Sequence, residues 1–136
     1  MKVLYVLPAQ GGGGGAHSVS QEVNELVKMG VNAKIAVNEK NYPSFLTCYS
    51  DMPNVSKNVV EYKNSEDLAK HLERVEIVVC TIFTSVKAVK ESLAKVKNKP
   101  KITYYAQDYE PLFTTPENPL WKEAYDSYTL LPDMTI

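Results

Sequence analysis

Short apolar runs alternate along this chain with longer stretches whose apolar residues recur every three or four positions. Residues 3–7, Val-Leu-Tyr-Val-Leu, lack polar alternation, which marks a strand buried on both faces. Residues 18–29 then carry Val19, Val23, Leu26 and Val27 at helical spacing, and Gly30 supplies a helix stop. Residues 31–37 predict a second strand, whereas 38–57, with two prolines and little periodicity, read as a long irregular loop. A third strand is predicted at 59–62, followed by a helix capped by Ser65 and bearing Leu68, Ala69 and Leu72. The run Ile77-Val78-Val79-Cys80 is the clearest buried strand. Thr84 or Ser85 opens the next helix, with Val86, Val89, Leu93 and Val96 inward and lysines outward. Residues 102–106 predict a fifth strand, 120–130 a last helix, and 132–136 enter another strand.

Helices between successive strands require right-handed crossovers, so the expected fold class is α/β, a doubly wound parallel sheet of Rossmann-like layout. Ligands of such sheets bind beyond the carboxyl ends of the strands. Three segments fall on that rim: the glycines after the first strand, residues 81–84 after the fourth, and residues 107–110 after the fifth.

Composition narrows the class. At 136 residues and 44% hydrophobic content, residues 1–136 make one domain whose core needs no disulfide or metal staple. Lys and Arg total 15 against 16 Asp and Glu, which leaves no net field for nucleic acid, so no nucleic-acid partner is expected. Cys48 and Cys80 form no CxxC pair and have no histidine at ligand spacing, so they read as reduced thiols and no metal site is expected. The opening apolar run is too short for a signal-peptide core, and no stretch reaches membrane-spanning length. The expected location is the cytoplasm, with peripheral attachment at the inner face of the membrane left open.

Five of the six glycines are consecutive, Gly11 to Gly15, at a strand-to-helix junction. Bare backbone there exposes the unpaired N–H groups of a helix N-terminus, which attract anions and point to a phosphate-bearing ligand. Gly11-x-Gly13-x-x-Ala16 also satisfies the dinucleotide fingerprint, and Glu39 stands where a ribose-binding carboxylate would sit. That reading implies an NAD(P)- or flavin-dependent oxidoreductase. Against it, Pro8-Ala9-Gln10 separates the strand from the first glycine and makes a wider loop than a dinucleotide fold uses. A third possibility, a flavodoxin-like partner-binding domain without catalysis, lacks the acidic cluster expected at the end of the first strand.

The strand, proline-containing spacer and glycine cluster resemble the opening of the acceptor-side domain of GT-B glycosyltransferases, specifically the large retaining family that uses nucleotide-activated sugars. A second stretch is more specific: Tyr104-Tyr105-Ala106-Gln107-Asp108-Tyr109-Glu110-Pro111-Leu112-Phe113, then Trp121 and Ala124-Tyr125-Asp126-Ser127-Tyr128. It is similar to a pattern of a bacterial subgroup that builds cell-surface polysaccharide and rhamnan-type glycans. Together the two motifs cover both ends of the chain. Many members of the wider family carry a histidine near the place held here by Gln107-Asp108.

The resemblance implies the N-terminal half of a GT-B enzyme, truncated, with its nucleotide-sugar-binding domain elsewhere and the isolated piece inactive. The expected partners are a nucleotide-sugar donor and a glycan acceptor, with no cofactor beyond the donor itself. Gly13, Gly14 and Gly15 would offer N–H groups to the donor diphosphate. His17, Gln107, Tyr109 and Glu110 would contact the acceptor, and Asp108 would stand in the catalytic position. Chemically, an amide and two carboxylates past a buried strand suit sugar hydroxyls, while Tyr109 and Phe113 suit pyranose faces. Trp121 is expected to pack the last helix, and His71, on a Lys- and Glu-rich helix, to be solvated.

Overall fold

The computed structural model describes residues 1–107 and 109–136. Strands β1 (Lys2–Val6), β2 (Asn32–Asn38), β3 (Val59–Tyr62), β4 (Ile77–Cys80) and β5 (Lys101–Tyr104) form one parallel sheet in the order β3-β2-β1-β4-β5. The alternation of side chains along β1 divides the core: Val3 and Tyr5 join one apolar cluster, Leu4 and Val6 the other. Helix α1 (Gly14–Lys28) covers the first face together with the short helices α2 (Tyr42–Cys48) and α3 (Pro53–Ser56). Helices α4 (Ser65–Leu72) and α5 (Phe83–Leu93) cover the second, and α6 (Pro119–Ser127) packs beside α5. The fold is therefore the doubly wound, Rossmann-like sheet that the alternating pattern predicts.

The chain runs outward from β1 to β3, then returns to lay β4 and β5 on the other side of β1. Strand order thus reverses between β1 and β4, and a crevice opens there beyond the carboxyl ends. Thr81 locks the two ends together, its hydroxyl donating to the Val6 carbonyl at 2.7 Å.

Several boundaries differ from the sequence reading. The expected loop at 38–57 contains α2 and α3, because Pro43 and Pro53 lie in the first turns of these helices, where a missing N–H is harmless. Phe45 and Val55 anchor them as fully buried side chains. Asn64, one residue ahead of Ser65, caps α4 by accepting the Asp67 N–H at 2.9 Å. Ser85 lies inside α5 and reaches back, its Oγ accepting the Thr81 N–H at 2.9 Å and the Ile82 N–H at 3.2 Å. Residues 132–136 form a single parallel bridge, Thr135 to Thr103, and no full strand. His71 is half-buried, its Nε2 3.1 Å from the Glu61 carbonyl, so it is not the solvated residue expected. Cys48 is exposed; Cys80 is buried, and burial pushes its thiol up to about 12, keeping it protonated and unreactive.

Candidate functional site

Beyond β1, Gly11 and Gly12 turn the chain with φ of +93° and +83°, a region closed to most side chains, and Gly13 caps α1. A Cβ on Gly11 would also lie 3.0 Å from Tyr49 Cε2 and 3.2 Å from Cys48 Cβ. The Gly12 N–H donates to the Tyr49 hydroxyl at 3.2 Å, so the end of α2 pins the loop from below.

The other three glycines answer to no such demand. A Cβ on Gly13 or Gly14 would meet nothing within 4 Å, and one on Gly15 would only approach the Gln107 amide at 3.4 Å. Their backbone is ordinary, and glycine in a helix is destabilising by about 1 kcal/mol relative to alanine. The first turn of α1 holds no acidic residue, and Gly13 supplies no side-chain cap. The first helical bond is from the His17 N–H to the Gly13 carbonyl at 2.9 Å, so the amides ahead of it have no partner within the helix.

The opposite wall is the N-terminus of α5, and here the chain supplies its own anion. Glu110, 4% exposed, heads a short 3-10 turn (Glu110–Phe113) and accepts the Phe83 N–H at 2.9 Å. Its second oxygen accepts the Tyr104 hydroxyl, while its own N–H donates to the Tyr128 hydroxyl at 3.0 Å. Burial, then the bond to Glu110, pushes the Tyr104 phenol far above its ordinary value, so it stays a donor at any working pH. The Tyr128 ring stacks between Tyr104 and Tyr109, at centroid distances of 5.5 and 5.9 Å.

Between these walls lies a cleft of about 490 Å³. Leu7, Ala16, Ile82 and Phe113 make its sides mainly apolar, with the glycine backbone, Thr81, Gln107 and Glu110 as polar points. Gln107 leans across the mouth, its Nε2 3.5 Å from the Gly15 carbonyl.

Gly11, Gly13 and Gly15 thus share one cleft with Gln107 and Glu110, more than ninety positions away in the chain, and Thr81 and Ile82 after β4 join them. Phe113 lines it as well. His17 does not; it is exposed along α1 with its ring nitrogen 3.1 Å from the Gln21 side-chain amide. Tyr109 stacks on Tyr128 and lies outside the lining. Glu110 lines the cleft, and its two carboxylate oxygens each also accept a protein hydrogen bond, a structural part that the sequence reading did not foresee. Asp108 lies outside the described residues. Trp121 stacks on Tyr125 of its own helix at 5.3 Å. Tyr49 and Cys48, which shape the loop from beneath, went unrecognised in the sequence; Asn41-Tyr42-Pro43, a helix-start signal, was the clue to their placement.

No family model matches the chain, and no curated protein matches it. Among the described residues no group of three His, Cys, Asp or Glu side chains could hold a metal ion, and no helix is long and apolar enough to cross a membrane.

Proposed function

We propose that the cleft receives the diphosphate of a nucleotide-activated sugar, and that the chain is the acceptor-binding part of a glycosyltransferase that passes the sugar to a glycan. The observation that carries this reading is the bare first turn of α1. Three glycines that neither backbone geometry nor packing requires stand at the start of α1, Gly13 and Gly15 lining the cleft, with no acidic residue in the first turn, while the facing helix end is filled by Glu110. An anion at an open helix N-terminus gains about 0.3–1 kcal/mol when exposed and up to about 2 when partly buried. Charge that develops on a leaving diphosphate would be met by amides already aimed at it.

The rest of the cleft suits a sugar. Gln107 offers both a donor and an acceptor to hydroxyls, and the exposed Phe113 ring offers a face to pyranose C–H groups. Closure of a second domain over this mouth would exclude water that otherwise hydrolyses the donor. Glu39, directly after β2, favours the rival dinucleotide reading, which the same loop could serve.

Titration of the chain with pyrophosphate and with NADH separates the two. A transferase domain whose base-binding half lies elsewhere should bind both with similar, weak affinity through the diphosphate alone. NADH binding more than about tenfold tighter than pyrophosphate, a gain of about 1.4 kcal/mol from adenosine and ribose contacts, would favour the oxidoreductase.

A further inference from the structure

A smaller pocket lies at the other end of the sheet, under the amino ends of the strands. It encloses about 180 Å³ between the start of β1, β2 and the C-terminal end of α4. Lys34 pairs in register with Leu4, so Lys34 and Lys2 project from the α4 side of the sheet, and Arg74 overhangs them from just past the helix. We propose that this pocket is an anion site that takes a phosphate group, separate from the glycine cleft.

Three cationic side chains line it and no acidic one does. Among the described residues the ion pairs are Lys28–Glu25, Lys95–Glu66 and Lys122–Asp126, all away from this pocket. Among the described residues, Lys2, Lys34 and Arg74 belong to no ion pair, as is true of most of the chain's 15 Lys and Arg, but these three converge on one pocket. The nearby acids are turned to backbone: Glu76 accepts the Lys2 N–H at 3.3 Å, and Glu73 accepts the Lys97 N–H at 2.5 Å. The negative end of the α4 dipole accounts for a cation at Arg74, but not for Lys2 and Lys34, which come from the sheet. Like charges gathered on one pocket repel unless an anion joins them.

The chemistry favours phosphate. Arg74 is the only arginine of the chain, and its planar fork meets two phosphate oxygens at once, while the lysines act as point charges beside it. The volume holds one phosphate group and a few waters, and is too small for a nucleotide. His71 borders the pocket with its Nε2 proton already given to the Glu61 carbonyl. The phosphate can belong to a soluble monoester or to a lipid headgroup.

The test is an amide chemical-shift titration of the full chain with inorganic phosphate at constant ionic strength, balanced with chloride. Amides of Lys2, Asn32, Lys34 and Arg74 should shift together and saturate. Lys34→Gln combined with Arg74→Gln, both at exposed side chains, should weaken that phase at least about tenfold and leave the phosphate response of the glycine loop unchanged. Glycerol 3-phosphate and phosphatidylcholine vesicles containing phosphatidic acid then identify the source. Saturation by the first assigns a soluble ligand, and co-sedimentation with the second, lost in the double variant, assigns a headgroup. Shifts that chloride reproduces, that never saturate, or that the double variant leaves unchanged overturn the proposal.

Discussion

Replacing Glu110 by alanine is expected to lower the stability of the domain by about 2–4 kcal/mol, read as a fall in the urea midpoint at unchanged slope. The carboxylate is buried and satisfies the Phe83 N–H at the start of α5 and the Tyr104 hydroxyl beneath it. Alanine leaves the buried Tyr104 hydroxyl and the part-buried Phe83 N–H without this acceptor, at roughly 1–3 kcal/mol for a buried donor and less for a part-buried one. Glutamine keeps the shape but turns an NH2 toward one of the two donors, so Glu110→Gln should fall between alanine and the unaltered chain. The loss reaches the cleft, because the same carboxylate anchors the turn that carries Phe113 to its wall. A Glu110→Ala variant within about 0.5 kcal/mol of the parent would mean that the turn is held by other contacts.

The second large effect has opposite signs in stability and in binding. Gly14→Ala should leave the free domain as stable or about 0.5 kcal/mol more so, since alanine restricts the unfolded chain and a Cβ there meets nothing. Gly14→Val should fold too, yet its branched side chain stands over the amides of the first turn and should weaken pyrophosphate binding at least about tenfold. Gly11 behaves in the reverse manner: at φ +93° with Tyr49 Cε2 3.0 Å from a new Cβ, alanine there should destabilise the fold itself. Equal losses of stability at Gly14 and Gly11 would show that the glycine run serves only the turn.

The sheet was legible because its information is periodic. Residues 3–7 and 77–80 are apolar without alternation, as a strand covered on both faces must be, and the helices between them repeat at helical spacing. The segment 38–57 misled because proline and tyrosine signal a break only inside an element; at the start of a helix Pro43 and Pro53 are compatible with it, and local pattern does not distinguish the two. In the site, the clustering of glycine at a strand end gave away the loop and the rim position gave away Gln107, since both follow from topology. Glu110 was legible as a residue and not as a role. Whether a carboxylate faces ligand or caps a neighbouring helix depends on Tyr104, Tyr128 and Phe83 meeting in space, which no spacing along the chain encodes. The basic pocket, drawn from Lys2, Lys34 and Arg74 on three elements, is likewise tertiary.

The most direct measurement is an amide chemical-shift titration of the unaltered chain with pyrophosphate. If the open first turn of α1 is the diphosphate cradle, the amides of Gly13, Gly14, Gly15 and Ala16 should move along one saturating curve that Gly14→Val abolishes. Saturable binding whose shifts bypass these four residues would contradict it.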